Sequence, residues 1–294
     1  MGGFSFDAWR DDLFNGTPPV LWPVGDGPLQ KFAIGPGRVV LLGGAPCAGK
    51  TTLAMQLVFD LLWSTQTLKA CVANVEMRPE RLIDKALARY AQVDIAAIQS
   101  RSFRADQRLV GRIKETVDGM RPLVERIKFV ERPHDGAEVV QEAARFGADL
   151  LVLDYLQRIV PPTKPGERHR DKRSQVDALM SFVRAVANAD KAVLLLSAVG
   201  RTGDGRGKAG YAPDRMGLGS FKESGECEYG ADDAYILTRN DQCSDLATLH
   251  HLKSRYGQTE SVALQFEANY QRFVPLVTPA RGTAHVKPDA RHRL

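Results

Sequence analysis

The residues able to do chemistry in this 294-residue chain begin at Gly44-Ala45-Pro46-Cys47-Ala48-Gly49-Lys50-Thr51, a G-x-x-x-x-G-K-[ST] spacing followed by Thr52. Gly44 and Gly49 bound a loop whose backbone N–H groups can turn inward, where a side chain would block an anion. A helix starting near Gly49 aims its positive end at the same anion. Lys50 is long enough to reach the outer phosphates of a nucleoside triphosphate, and the Thr51 hydroxyl can ligate Mg²⁺. A chance match to this spacing is roughly a 1% event at ordinary residue usage. The segment predicts a P-loop, with ATP and Mg²⁺ as its expected occupants.

Such a loop needs a strand before it and a helix after it. The apolar run Val39-Val40-Leu41-Leu42 supplies the first, and the periodic run through Leu53, Leu57, Leu61 and Leu62 supplies the second. Mg²⁺ needs a further anchor, which P-loop proteins provide with an Asp at the end of a buried strand. Asp154, after Leu150-Leu151-Val152-Leu153, has that position. An Asp there serves either as metal support or as a turn residue, and the P-loop upstream favours the metal. Hydrolysis also needs a group to orient or deprotonate water. Glu76, at the end of the next strand, is the candidate; the alternative is a solvated carboxylate at a strand end.

Composition narrows the class. Apolar residues make up 44% and charged residues 26%, ordinary values for a globular chain. The net charge of +5 permits a polyanionic partner without requiring one. No apolar run reaches the roughly 18 residues of a membrane span, and the N-terminus lacks the basic and apolar regions of a signal peptide. Cys47, Cys71, Cys227 and Cys243 show no paired or zinc-ligand spacing and read as free thiols, which points to a cytoplasmic protein. Cys47, inside the loop, reads as a small filler rather than a reactive thiol.

Continuous apolar strands alternating with amphipathic helices predict an α/β fold with a mostly parallel sheet covered on both faces. Expected strands are Ala70–Val75, Ile127–Val130, Asp149–Leu153 and Ala192–Leu196. Expected helices are Phe6–Leu13, Glu80–Tyr90, Arg104–Met120, Ala137–Phe146 and Gln175–Asn188. Four further strands, 234–238, 246–252, 262–266 and 271–274, predict an antiparallel extension near the C-terminus. The division expected is a lead-in segment over 1–28, one ATPase domain over 29–276 and a basic, disordered tail over 277–294. His250 and His251 have no ligand partners in sequence and read as structural.

Val75-Glu76-Met77, Leu153-Asp154-Tyr155-Leu156-Gln157, Lys222-Glu223-Ser224-Gly225 and Lys253-Ser254-Arg255 follow one another in an order that resembles the ATPase domain of DnaB-like replicative helicases. Gly49-Lys50-Thr51-Thr52-Leu53-Ala54-Met55 is similar to that family as well. The resemblance implies a RecA-like fold working as a hexameric ring on single-stranded DNA. It implies that Lys50 and Thr51 bind phosphate and Mg²⁺, that Asp154 supports the metal, and that Glu76 is the catalytic base. It further implies that Lys253 and Arg255 are delivered in trans to a neighbour's γ-phosphate. Without the resemblance the pair reads as two cations on a solvated strand face.

Two departures stand out. The family's γ-phosphate-sensing Gln is replaced by Ala198, after Ser197. Residues 1–28 are also too few for the helical collar through which replicative members recruit primase. Two basic loops, 158–173 with Arg168 and Arg170, and 200–219 with Arg201, Arg206, Lys208 and Arg215, are the expected DNA contacts, of a kind suited to tracking phosphates rather than reading bases. The competing reading is an ATP-driven switch or assembly factor of the same fold, acting on a loader or other protein partner without unwinding DNA.

Overall fold

The computed structural model describes residues 4–25, 27–131, 135–162, 171–200, 202–203, 209–210, 216–221, 230–239 and 245–276. Its centre is β1 (Val39–Gly44), buried along its whole length. Alternation assigns its side chains: Val40 and Leu42 join one core and Val39 and Leu41 the other, so helices must cover both faces of the sheet. The first face is covered by α2 (Lys50–Ser64), α3 (Pro79–Ala91) and α5 (Gln107–Val124), and the second by α6 (Gly136–Phe146) and α7 (Lys172–Ala187). In α2 every residue from Thr52 to Leu62 is buried. Trp22, Val24, Leu29, Phe32 and Ile34, ahead of β1, pack into the same core.

The remaining strands are β2 (Ala70–Asn74), β3 (Ile127–Val130), β4 (Leu150–Asp154), β5 (Ala192–Ala198), the short pair β6 (Thr202–Gly203) and β7 (Ala209–Gly210), β8 (Asp233–Arg239), β9 (Leu246–Ser254), β10 (Val262–Glu267) and β11 (Arg272–Pro275). Among the described residues the main sheet runs β11-β10-β9-β8-β1-β5-β4-β2-β3. From β8 to β3 all neighbours are parallel, and β9, β10 and β11 add antiparallel strands at the far edge. This is the expected α/β architecture. Since the chain leaves β1 and returns on both of its sides, the crevice beyond β1 is the switch point where such sheets bind ligands.

Local capping explains where the elements differ from expectation. The helix expected over 104–120 starts later, at Gln107, because the Asp106 carboxylate accepts the N–H groups of Arg108 (2.8 Å) and Leu109 (3.4 Å). Ahead of it stands the short α4 (Ile95–Ser100). Conversely α7 begins at Lys172, because Asp171 and Ser174 form a capping box. Lys172 and Arg173 are therefore helical and not part of the basic loop. The second strand stops at Asn74, so Glu76 lies beyond its end.

Candidate nucleotide site at the carboxyl edge of the sheet

Past the ends of β1, β2, β4 and β5 lies a cleft of about 450 Å³, lined by the P-loop together with Glu76, Asp154 and Ala198. The loop's shape depends on its neighbours. Gly49 has φ +97°, and a Cβ there would stand 2.7 Å from the Phe273 ring. At Gly44 a Cβ would lie 2.8 Å from the Leu237 carbonyl oxygen, so this glycine is required by strand packing as well as by an anion. Cys47 is exposed at the loop tip. Buried Cys71, by contrast, has its thiol pushed up to about 12 by desolvation.

Lys50 donates to the carbonyl oxygens of Gly44 (2.8 Å) and Ala45 (3.0 Å), which hold its ammonium over the loop. Burial lowers its pKa, and the nearby carboxylates of Asp154 and Glu76 oppose that shift. Asp154, only 3% exposed, uses one oxygen twice: Oδ2 accepts from Thr51 Oγ1 at 2.6 Å and from Asn74 Nδ2 at 2.6 Å. Desolvation pushes its carboxyl up to about 6, against the Thr51 hydrogen bond that favours ionisation; the Glu76 charge adds to the rise.

This donor set fits Mg²⁺. A hydroxyl and one carboxylate are hard oxygen ligands, and a buried carboxylate in this state gains most from a cation. Among the described residues no group of three His, Cys, Asp or Glu side chains could hold a metal. Phosphate oxygens would have to complete the shell, which is the usual arrangement for Mg²⁺ beside a nucleotide.

A profile of the DnaB-like helicase C terminal domain matches residues 31–275. The chain belongs to that family. It is 27% identical over 244 residues to the replicative DNA helicase DnaB of Treponema pallidum, covering 81% of this chain and 51% of that protein. With the Haemophilus influenzae DnaB it shares 26% over 263 residues, covering 83% and 53%. The chain thus spans about half the length of these relatives. In fold it is similar to a DnaB-like replicative helicase solved in a study of its interactions with primase, with a TM-score of 0.74 at 18% identity, over 94% of this chain and 68% of that one. It is also similar to an ATPase domain solved on its own, at TM-score 0.77 and 18% identity over 94% and 100%.

The family's other motif positions fall in three groups. Lys50, Thr51, Thr52, Glu76 and Asp154 meet in the cleft. Lys253 and Arg255 do not line it: Lys253 donates to the Ala231 carbonyl (2.8 Å), and Arg255 stands 3.1 Å from buried Asp232. Arg184 holds the same carboxylate at 2.9 Å. The DNA-contact candidates Arg168, Arg170, Arg201, Arg206, Lys208 and Arg215 lie outside the described residues, as does Lys222-Glu223-Ser224-Gly225. The histidines are structural: His251 pairs with Asp233 (3.1 Å) and stacks on Tyr235, and His250 bonds the Thr238 hydroxyl (2.9 Å).

Asn74 went unread in the sequence. Its Oδ1 accepts the backbone N–H of Glu76 (2.9 Å) and of Met77 (2.7 Å), while its Nδ2 holds Asp154. One amide therefore ties the metal-side carboxylate to the backbone of the candidate base. The signal was available, because Asn two residues before a turn position commonly makes this bond. Gln157 links β4 to the end of β5, donating to Ser197 Oγ (2.9 Å) and accepting from the Ala198 N–H (3.3 Å).

Proposed function

We propose that this chain hydrolyses ATP in its P-loop cleft and couples hydrolysis to single-stranded DNA within a ring of identical copies. The observation that carries the reading is the joined set Lys50, Thr51, Asp154 and Glu76 at the switch point of the sheet. The loop N–H groups and Lys50 bind the phosphates, and Thr51 and Asp154 hold Mg²⁺, which would neutralise charge on the outer phosphates. Glu76, exposed on the cleft wall, accepts the proton of the attacking water, and Asn74 fixes the backbone from which Glu76 projects.

Assembly is supported by two features. Lys253 and Arg255 stand away from the chain's own cleft, as a pair serving a neighbour's γ-phosphate would; such a cation makes hydrolysis depend on assembly. The helix α1 (Phe6–Asn15) buries none of its residues within the chain and presents Phe6, Trp9, Leu13 and Phe14 to solvent. A second copy would cover them. The basic loops that follow β4 and β5 then face the ring's channel and track the DNA backbone.

Ala198 favours the second reading, an ATP-driven switch on a protein partner, since its methyl group offers no hydrogen bond to a γ-phosphate at the end of β5. Steady-state ATP hydrolysis with and without single-stranded DNA decides, with Lys50→Ala as the blank. Several-fold stimulation supports the motor. Turnover indifferent to DNA overturns it in favour of the switch.

A further inference from the structure

Two cations of α3 lie on its inward stripe, and among the described residues only one has a counter-ion. Arg89 reaches Asp60 of α2 in a part-buried ion pair. Lys85, one turn earlier, donates to the Thr52 hydroxyl at 3.1 Å and to the Gln271 side-chain oxygen, both neutral. Among the described residues no carboxylate pairs with it. Burial alone lowers its pKa. A shielded ammonium with neutral partners is an incomplete arrangement, because such charges are ordinarily paired.

The missing anion has a place. Lys85, Thr52, Gln271 and Phe266 line the same cleft as Lys50 and Asp154. Successive residues of α2 diverge by about 100° around its axis, so Thr51 is aimed at Asp154 while Thr52 is aimed at Lys85. The cleft thus has a metal side, at Thr51, Asp154 and Glu76, and a second side built on Lys85. That second side is rigid. Gln271 has φ +51° at the tip between β10 and β11, and its Nε2 donates to the Ala268 carbonyl at 2.7 Å, leaving the side-chain oxygen toward Lys85. Below it, Gln56 of α2 accepts from and donates to the Phe273 backbone, both at 2.8 Å. Phe266 stacks on Phe273 with ring centroids 4.6 Å apart and offers an apolar surface beside the amide. An ammonium next to an amide and an aromatic ring suits the junction of phosphate, sugar and base.

We infer that Lys85 is the counter-ion of the ribose-proximal phosphate of the bound nucleotide, and that Gln271 and Phe266 form the wall against its nucleoside. This deepens the ATPase reading and rests on the cleft being a nucleotide site. Because ATP and ADP share that phosphate, Lys85 contributes binding common to ground state and transition state, not to the chemical step.

The test uses the full chain with Lys85→Met, which keeps an unbranched stem, and Lys85→Arg, which keeps the charge. Affinities for Mg-ATP, Mg-ADP and Mg-pyrophosphate are measured by calorimetry, and turnover at saturating ATP in parallel. In Lys85→Met, ATP and ADP should weaken by about the same factor, roughly tenfold for one charge-assisted contact. Pyrophosphate, without a ribose-linked phosphate, should change less than threefold and saturated turnover less than twofold, with Lys85→Arg recovering most of the affinity. Unchanged ATP and ADP binding would leave Lys85 as a strap between α2, α3 and the hairpin and would overturn the assignment. Lower turnover at unchanged affinity would overturn it equally, by giving Lys85 a part in the chemistry. If Lys85→Met does not fold, Lys85→Gln takes its place in the same measurements. Nucleotide binding without hydrolysis in the unsubstituted chain would count against the ATPase reading alone, since the affinity comparisons still decide Lys85.

Discussion

Replacing Asp154 by Asn should make the nucleotide-free protein more stable while removing its hydrolytic activity. The carboxyl is 3% exposed, and burial pushes its pKa from 3.8 up to about 6. A folded-state value above the unfolded one means that the fold binds the proton more tightly. The associated stability is complete below about pH 4 and is lost as pH rises through about 6. At pH 7.5 the ionised side chain therefore costs about 3 kcal/mol at most. Asn keeps a carbonyl oxygen to accept from Thr51 and Asn74 but gives up the charge in those two bonds, a loss of about 1 kcal/mol. The net gain of about 2 kcal/mol corresponds to a melting temperature raised by roughly 4–8 °C for a domain of this size. Thermal unfolding in EDTA without nucleotide, at pH 4.5 and pH 7.5, reads this directly. The two proteins should differ little at the lower pH and most at the higher one. Equal melting temperatures at pH 7.5, or a difference that ignores pH, would refute the reasoning that desolvation is stored at this carboxylate. Strain of this kind at a ligand site, relieved when the ligand binds, is the usual origin of a stability–activity trade-off.

Other perturbations probe the rest of the arrangement. Asn74→Ala removes the bonds to the backbone of Glu76 and Met77 and to Asp154; it should lower kcat by about 10–100-fold with nucleotide affinity changed only a few-fold, and near-normal turnover in single-site kinetics would exclude a positioning role. Lys50→Ala and Arg255→Ala chains should each be inactive alone. Mixed one to one, they should recover up to about a quarter of the activity, the fraction of heterologous interfaces that join an intact cleft to an intact arginine. No recovery, or substantial turnover by Arg255→Ala alone, would remove Arg255 from a neighbour's site. Finally, Phe6→Ser with Leu13→Ser on α1 should shift the assembly toward monomer in sedimentation while leaving the melting temperature nearly unchanged, because neither side chain is buried within the chain. An unchanged sedimentation profile would exclude α1 from the contact.

What could be read from the sequence, and what could not, follows from the range over which each cause acts. The P-loop, the strand before it and the helix after it are adjacent in the chain, so their spacing carries the geometry. The strands flanking β1 were legible for a similar reason, since a strand buried on both faces is apolar at every position, as in Ala192–Leu196. Asp154 and Glu76 needed one further step, the rule that a site forms at the carboxyl ends of parallel strands, and the structure brings both to the cleft. Lys85 needed more. Its stripe, Leu82, Lys85, Ala86 and Arg89, shows a cation on the inward side of a helix, but sequence cannot say whether such a cation is paired. Asp60 answers for Arg89 from 29 residues away, while among the described residues the groups answering Lys85 are a hydroxyl 33 residues upstream and an amide 186 residues downstream. Gly49 makes the same point from the other direction. Its motif position explains why it is glycine in any P-loop, yet the atom that would meet its Cβ belongs to Phe273, on a strand added at the far edge of the sheet. The antiparallel extension is thus part of the site. It closes the cleft over the loop, supplies Gln271 and Phe266 to the wall, and is clamped to the P-loop helix through Gln56. Through these contacts a change in nucleotide at the loop would be transmitted to β10 and β11, and from there to β9, which ends at the Lys253–Arg255 pair.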